Sequence, residues 1–417
     1  MQADRHGAGK MKVTDQIQTD ILIVGGGMAG MTMALAAEHA GLDVVMIERT
    51  VPTDVTAAPY DGRVSAIAYG CHAMFDVLGV WPYLEAAEPI EEIRVSDGRS
   101  PFFLHFDHRE VGDRPFGFMV ENRHLRMALH ERLAAAERID FFSACELDDV
   151  DRSGGLAHAV LGNGIHVSAP LVVGAEGRFS PLREAAGIRL LKWQYRQTAI
   201  VTVVEHDEPH HGVALEHFLP AGPFALLPMA GNKSALVWTE KEDLVPAMIA
   251  LPDAEFDAEI QHRLGDHWGK VRCVAPRWTY PLGLQNAERY IDQRLALISD
   301  AAHAMHPIAG QGLNVGLRDV ACLAEVLRDA KTLGLDIGGQ VTLRKYQEWR
   351  RFDALTMLIM TDGLNRGFST DFGPVRAARD LGLGLVNRIG PAKRFFERHA
   401  AGFSGDLPKL IKGEALA

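Results

Sequence analysis

Three glycines near the start of the chain have the spacing of a phosphate-binding turn. Gly25, Gly27 and Gly30 form the pattern G-x-G-x-x-G between an apolar run and a helical pattern. The first glycine of such a turn allows a sharp bend, the second lets the backbone approach a pyrophosphate, and the third lets helix and strand pack closely. Because amides at a helix N-terminus attract anions, the turn predicts a nucleotide site that includes Met28 and Ala29.

A carboxylate follows the next predicted strand. The strand at 43–47 ends at Glu48, which lies 18 residues beyond Gly30 and precedes Arg49. An acidic residue at this position normally accepts hydrogen bonds from ribose hydroxyls. A lone G-x-G-x-x-G also occurs as a simple turn in other α/β domains. Strand, helix, strand and acid in register favour a dinucleotide, without identifying which one.

A second glycine turn, far along the chain, offers groups suited to a flavin. Residues 294–299 predict a buried strand, followed by a carboxylate that can accept hydrogen bonds from ribityl hydroxyls. A helix predicted at about 313–330 would direct its N-terminus at the flavin, where it stabilises the negative charge formed on reduction. A glycine turn that caps an unrelated helix is the alternative. The predicted flavin-binding residues of this segment are Asp300, Gly310, Gly312, Leu313 and Asn314.

Composition and charge limit the class of protein. A chain of 417 residues is too long for one simple core, which predicts two interleaved domains. The net charge of −11 argues against a general nucleic-acid binder. Cys71, Cys145, Cys273 and Cys322 have no paired or metal-binding spacing and predict reduced thiols in a cytosolic protein. No apolar run reaches the ~18 residues that span a bilayer.

Residues 190–285 alternate between apolar and polar positions and predict a sheet that covers the flavin. Within this region, His206, His210 and His211 lie among three acids, so a metal site has to be considered. A solvated turn between two strands is the favoured interpretation, and no metal site is predicted. Four aromatic residues could line a pocket or pack in the core: Trp193, Tyr195, Phe218 and Phe224.

With these motifs in place, the chain resembles the ubiquinone-biosynthesis hydroxylase family of FAD-dependent aromatic monooxygenases. HPIAGQGLNVGLRD at 306–319 is similar to that family's signature along its whole length. DGRVSAIAYG at 61–70 resembles the segment whose arginine, here Arg63, lies near the flavin. ENRHLRMALHERL at 121–133 is similar to the helix that brings Arg126 toward the cofactor.

The Asp-Gly motif of the family is also represented, with changes. LVVGAEGRFSPLR at 171–183 resembles it, and the stretch from Tyr195 to Thr198 after it fits as well, so that the resemblance extends from about Asp20 to Pro408. Two departures occur at the motifs themselves. Glu176 stands where the family has aspartate, and Ser299 stands where it has the glycine before Asp300.

The resemblance implies a mixed α/β fold like that of p-hydroxybenzoate hydroxylase. This fold has a Rossmann-like FAD-binding domain, an interleaved β-sheet substrate domain and a helical C-terminus. The predicted division is a flexible tail at 1–19, an FAD-binding domain at 20–95, 115–188 and 286–330, a substrate-binding sheet at 96–114 and 189–285, and helices at 331–417. The tail lacks the apolar centre of a signal peptide.

The resemblance also implies the chemistry. NAD(P)H or another donor reduces FAD, and a flavin hydroperoxide formed with O2 hydroxylates the ring of a polyprenylated phenol in ubiquinone biosynthesis. His306 and Pro307 are the candidate catalytic residues, although the reaction centres on the flavin. His303 is interpreted as a positioning or packing residue. Two alternatives stay open: a monooxygenase of a small soluble aromatic, and a non-catalytic flavoprotein component of a biosynthetic complex.

The C-terminal region is predicted to be helical and basic at its end. Residues at a spacing of three predict one apolar face: Tyr346, Trp349, Phe352, Leu355 and Leu358. The segment 374–417 holds eight Lys or Arg against four acids, in contrast to the acidic chain as a whole. This excess predicts contact with an anionic membrane or a quinone-biosynthesis complex, with a solvated helix face as the alternative. The expected location is cytoplasmic, peripheral to the inner membrane.

Overall fold

A computed structural model of the protein describes residues 16–51, 62–84, 86–98, 103–110, 112–305, 310–368, 402 and 405–416. The strands are β1 (Gln16–Gln18), β2 (Ile21–Val24), β3 (Val44–Glu48), β4 (Val64–Ala68), β5 (Glu88–Ile90), β6 (Glu92–Asp97), β7 (Phe103–Asp107), β8 (Gly117–Glu121), β9 (Ile139–Ser143), β10 (Leu147–Asp151), β11 (Ala157–Leu161), β12 (His166–Ala169), β13 (Leu171–Gly174), β14 (Leu190–His206), β15 (Val213–Leu219), β16 (Gly222–Met229), β17 (Lys233–Lys241), β18 (Val271–Cys273), β19 (Trp278–Ala287), β20 (Ile291–Asp292), β21 (Leu295–Leu297) and β22 (His303–Ala304). The α-helices are α1 (Met28–His39), α2 (Tyr69–Val77), α3 (Asn122–Ala134), α4 (Pro181–Ala185), α5 (Val245–Ile249), α6 (Asp253–Leu264), α7 (Gln311–Thr332), α8 (Gln340–Phe368) and α9 (Lys409–Lys412).

Six strands form the sheet that carries the first glycine turn, in the order β20-β21-β13-β2-β3-β9. β2 is parallel to β13 on one side and to β3 on the other, and its four side chains are buried. Such all-apolar strands are typical of parallel sheets covered on both faces. Because β2, β13 and β21 are parallel and in register at their ends, the loops that follow them lie side by side at one edge.

Nine strands form a larger sheet, in the order β22-β19-β14-β17-β16-β15-β6-β7, with β18 paired to β14. It joins distant segments, since β6 pairs in parallel with β15. Successive side chains on a strand point to opposite faces. Ile200, Phe224 and Trp238 therefore pack with α6 in a core on one face, while Val201 and Val237 face the other way.

Two smaller sheets complete the structure. β4, β8 and β5 form a three-stranded sheet, and β1, β12, β11 and β10 form a four-stranded one. The mixed α/β fold predicted from the sequence is confirmed, and the helix expected at 313–330 spans Gln311–Thr332. The predicted flexible tail is wrong at its end, because Gln16–Gln18 pairs with β12. The division into domains stays a prediction.

The single apolar face predicted for α8 is wrong in its middle. Tyr346 and Leu358 are buried, but Phe352 is 79% exposed and Leu355 is 39% exposed. A spacing of three residues falls short of the 3.6 residues in a helical turn, so successive positions drift around the helix axis. The two exposed side chains have drifted to the outer surface.

The end of the chain packs onto the body of the protein. α9 lies against α2, with Ile411 beside Gly70. The indole N–H of Trp349 donates to the carbonyl of Asp406 at 2.9 Å, and the amide of Lys409 donates to Glu325 at 2.7 Å. In the part of the chain that the structure describes, no helix combines the length and the apolar character needed to cross a bilayer.

Candidate active site

The glycine turn after β2 is shaped by close backbone contacts. Gly25 has φ of +109°, and a Cβ there would lie 2.5 Å from the carbonyl oxygen of Ala175. Gly27 is different: a Cβ would meet no atom within 4 Å, and the residue lines a cavity together with Met28 and Ala29. Open space beside the unpaired amides of a helix N-terminus fits a pyrophosphate group.

Glu48 at the end of β3 is tied to the same turn. One carboxylate oxygen accepts a hydrogen bond from the amide of Gly26 at 2.6 Å, and the other accepts one from the amide of Thr50 at 2.9 Å. The next residue, Arg49, is exposed. The carboxylate therefore lies beside the first glycine turn, and its contact with ribose hydroxyls stays a prediction.

The first turn of α7 is held in place by an asparagine. Gly310 is its N-cap residue, with φ of +62°. The Asn314 side chain accepts a hydrogen bond from the amide of Ala68 at 2.9 Å and donates one to the carbonyl of Ala66 at 2.8 Å. These two bonds fix the start of α7 against β4, so that residues 310–314 line the cavity that begins at the first glycine turn.

Asp300 also lines this cavity, close to a basic residue. Its carboxylate lies 3.7 Å from the guanidinium of Arg178. Burial raises the pKa of Asp300 above its ordinary value, and the positive charge of Arg178 opposes the shift. The Gln285 amide donates to the carbonyls of Asp300 at 3.0 Å and Arg178 at 3.2 Å. The Gln285 side chain therefore supports both the loop that carries Arg178 and the loop that carries Asp300.

A buried charge network holds the turn before Asp300. The Asp319 carboxylate accepts hydrogen bonds from the amide of Ser299 at 2.9 Å and from Nε2 of His303 at 2.6 Å. Its other oxygen accepts a bond from the Arg350 guanidinium at 2.8 Å. Although burial alone would raise it, His303 and Arg350 together hold the pKa of Asp319 below its ordinary value. His303 is thus a positioning residue.

Sequence reasoning interpreted His303 as a positioning or packing residue, but it did not identify Asp319, Arg350 or Arg178. Asp319 closes the motif at 306–319, and that position was the available signal. For Arg178 the available signal was likewise its position in a motif, the one at 171–183. Arg350 is a single arginine in a long helix, and no local pattern marks it as the partner of Asp319.

The serine in place of the family's glycine carries a specific strain. Ser299 has φ of +54°, a conformation that favours glycine. A Cβ at Gly316 on α7 would lie 2.4 Å from Ser299 Oγ. We expect Gly316→Ala to lower the free energy of unfolding by about 1–3 kcal/mol, which outweighs the gain of up to ~1 kcal/mol in helix propensity. Adding Ser299→Gly should restore most of the loss. Denaturant unfolding of the wild type and both variants measures these changes, and an equal loss in the single and double variants contradicts this contact.

Glu176, the other departure from the family pattern, has its carboxylate away from the cavity. Glu176 accepts hydrogen bonds from the hydroxyl of Ser180 and, at 3.4 Å, from the amide of Leu182. Burial raises the pKa of Glu176. Its neighbours Gly177 and Arg178 line the cavity, whereas Glu176 turns toward the start of α4. The longer side chain therefore bonds to the start of α4, whose N-cap residue is Ser180.

One cavity of about 890 Å³ connects these elements. The predicted cofactor residues that line it are Gly27, Met28, Ala29, Arg63, Asp300, Gly310, Gly312, Leu313 and Asn314. At Gly312, as at Gly27, a Cβ would meet no atom within 4 Å. The Arg63 guanidinium lies 6.0 Å from the centre of the Tyr280 ring. The open backbone at both glycine turns leaves room for an extended dinucleotide.

Other predicted residues do not line the cavity. Gly25 and Gly30 shape the turn from behind, and Arg126 is half-buried on α3. The candidate catalytic residues His306 and Pro307 lie outside the described residues, so their role stays a prediction.

The far end of the cavity is apolar. The sheet contributes side chains such as Val201 and Val237, and α8 contributes Met357 and Leu364 from the opposite side. The rings of Phe218 and Phe368 stack there with centroids 4.2 Å apart. Of the other aromatic candidates, Phe224 packs in the core, Trp193 stacks under Arg366, and the Tyr195 hydroxyl donates to Asp362.

The histidine cluster at 205–212 forms a turn between strands. His206 bonds to the carbonyl of Glu208 at 2.6 Å and to the hydroxyl of Ser234 at 3.1 Å. The ring of His210 bonds to the carbonyl of Met229 and to the amide of Gly212. The ring nitrogens of both histidines are used in holding the turn.

Comparison with known proteins places this site in context. Residues 18–351 match the family described as FAD binding domain. Ubiquinone hydroxylase UbiL of Rhodospirillum rubrum is 51% identical over 401 residues, which cover 95% of this chain and 93% of that protein. The 3-demethoxyubiquinol 3-hydroxylase of Escherichia coli is 33% identical over 92% of this chain and 98% of its own length. The structure of p-nitrophenol 4-monooxygenase PnpA from Pseudomonas putida shares the fold, with a TM-score of 0.76 and 20% identity over 94% of this chain and 99% of that one.

Proposed function

Because this chain belongs to the FAD binding domain family, and within it to the ubiquinone-biosynthesis hydroxylases, we propose that it hydroxylates the aromatic ring of a polyprenylated phenol on the route to ubiquinone. It is an FAD-dependent aromatic monooxygenase. In the proposed reaction, one atom of O2 enters the ring, and NAD(P)H or another donor supplies the electrons.

One observation carries the proposal: a single cavity joins the two glycine turns to an apolar sheet face. A phenol with an attached prenyl chain needs a polar cofactor at one end of its site and an apolar wall along the rest. The sheet side chains Val201 and Val237, facing Met357 and Leu364, provide such a wall. Apolar walls on both sides also exclude water from the reacting ring.

The residues at the turns fit FAD. When bound, FAD supplies the redox chemistry that protein side chains lack. Gly27 and the amides at the start of α1 would hold its pyrophosphate, and Glu48 its adenosine ribose. Asp300 would bind the ribityl chain. The N-terminus of α7, fixed by Asn314, would stabilise negative charge on the flavin ring.

A labelling experiment tests the reaction. The FAD-loaded protein is supplied with NAD(P)H, ¹⁸O2 and a phenol that carries a short prenyl chain, and the products are identified by mass spectrometry. We expect one labelled oxygen on the ring. Electron-donor consumption that yields only hydrogen peroxide contradicts the proposal. Preferred turnover of phenols without a prenyl chain would point instead to a small soluble aromatic substrate.

A cellular experiment identifies the step. Deleting the gene in a quinone-making bacterium should cause a precursor that lacks one ring hydroxyl to accumulate. Its structure, determined by mass spectrometry and NMR, shows which carbon is left unmodified. Unchanged ubiquinone, in a strain without a second enzyme for the step, contradicts the proposal.

We further propose that the basic segment contacts the anionic membrane surface where a prenylated substrate resides. Of the segment 374–417 predicted to make this contact, 374–401 lies outside the described residues and holds six Lys or Arg against two acids, whereas the described end is bonded to the protein at Asp406 and Lys409. We therefore propose 374–401 as the part that meets the membrane. The protein should float with vesicles containing phosphatidylglycerol, and not with neutral ones, in low salt. Replacing Lys393 and Arg394 by glutamate should weaken flotation, while Lys412→Glu should not. Equal flotation of both variants contradicts this assignment.

A further inference from the structure

Glu216 is a carboxylic acid on an otherwise largely apolar wall of the cavity. It lies on β15, opposite Ala225 of β16 and Val95 of β6, and all three residues line the cavity. Strand alternation directs Ala214 and Phe218 to the same side. Part of the Glu216 side chain is open to the cavity, and protein encloses the rest.

The Glu216 carboxyl has no partner among the described residues. None of them donates a hydrogen bond to it or forms an ion pair with it. Burial alone raises the pKa of Glu216 to about 7. The other ionisable groups of the cavity lie elsewhere on its wall and do not contribute to this shift: Arg63, Arg178, Tyr280 and Asp300.

An unpartnered carboxylate in such surroundings is unfavourable unless a ligand satisfies it. Burying an ionised group without a hydrogen-bond donor costs free energy, and a bound donor removes that cost. A phenol has one donor, its hydroxyl, attached directly to an apolar ring. The stacked rings of Phe218 and Phe368 lie on the same side of the sheet and offer an aromatic surface for such a ring.

We propose that Glu216 binds the ring hydroxyl of the substrate, accepting a hydrogen bond from it, and thereby selects free phenols over their O-alkyl ethers. This inference rests on the proposed function and adds a specificity-determining residue to it. An accepted hydrogen bond also increases electron density in the ring, which favours attack by an electrophilic oxygen. The hydroxyl would be held at the sheet, on the wall formed by β15, β16 and β6.

Ligand affinity tests the role of Glu216 without turnover. The FAD-loaded protein, kept oxidised, is titrated with a short-chain prenylated phenol and with its O-methyl ether, and the change in flavin absorbance gives Kd. We expect the wild type to prefer the phenol. Glu216→Gln should raise the Kd of the phenol about tenfold, since a neutral acceptor replaces a charged one. Glu216→Leu should abolish the preference. His217→Gln is the matched control, because His217 bonds to Ser96 and does not line the cavity.

The pH dependence gives a second readout. Phenol affinity in the wild type should increase as pH rises through about 7, where Glu216 ionises, and this step should be absent in Glu216→Gln. The same titration separates the two proposals. If the wild type hydroxylates the phenol but Glu216→Gln and Glu216→Leu keep its affinity, preference and pH profile, the Glu216 proposal alone is wrong. If the wild type neither binds nor hydroxylates any prenylated phenol, both proposals are wrong. Thermal unfolding of each variant verifies that it is folded.

Discussion

Replacing Arg350 by methionine is expected to lower the free energy of unfolding by about 3–5 kcal/mol. Arg350 is 2% exposed, and the Asp319 carboxylate that it contacts is fully buried. Without the guanidinium, the buried Asp319 carboxylate loses its arginine and one of its three hydrogen bonds, and Asp353 loses one of its two arginine partners. Methionine fills similar space without charge. The fall in the free energy of unfolding therefore measures the missing contacts of the guanidinium more than the cost of a cavity.

This substitution should also weaken FAD binding, because Asp319 holds the amide of Ser299 beside Asp300, the residue proposed to bind the ribityl chain. Denaturant unfolding and the flavin content of the purified protein measure the two effects. The matched control is Arg366→Met on the same helix. Arg366 is half-exposed, pairs with Asp362 four residues before it and stacks on Trp193, so its loss should cost only about 0.5–1.5 kcal/mol. Similar losses in both variants would falsify the structural importance of the buried network.

Gly30→Ala is expected to abolish stable FAD binding. A Cβ at this position would lie 1.9 Å from the carbonyl oxygen of Gly25, which is backbone and cannot move aside without changing the turn. The clash should force α1 away from the glycine turn. We expect this to weaken the free energy of FAD binding by about 3 kcal/mol or more, equivalent to more than a hundredfold loss in affinity. The purified variant should therefore lack the yellow colour and visible absorbance of the flavin.

The control for this prediction is Gly363→Ala in α8. A Cβ there would meet no atom within 4 Å, and alanine is the better helix former, so the protein should gain up to ~1 kcal/mol and keep its FAD. Recovery of the Gly30→Ala protein with a full complement of FAD would contradict the close packing of α1 on the turn.

Much of the cofactor site could be predicted because its signals are local. The spacing of Gly25, Gly27 and Gly30, the acid at Glu48 and the second turn before α7 each reflect a short-range rule of backbone geometry. A turn that must bend sharply and leave space for phosphate needs glycine, whatever the rest of the chain does. The resemblance through 306–319 extended these local signals to a family and a chemistry.

The positions of distant groups depended on the tertiary structure. Glu216 became a cavity group only because β15 pairs with both β16 and β6, which come from separate parts of the chain. A shift of one residue in either pairing would have turned it to the other face. Likewise, no local sequence pattern around Arg350 or Asp319 predicts that these two residues form an ion pair in the core.

The sequence alone therefore determined the two glycine turns, the cofactor class and the family, since the motifs that indicate them each lie within a short stretch of chain. Only the tertiary structure decided that Glu176 turns toward the start of α4, that Asp319 supports the Asp300 turn and that an acid faces the apolar end of the cavity. Those outcomes depend on strand register and on packing between segments far apart in the chain. No pattern within one segment specifies which face its partner will cover.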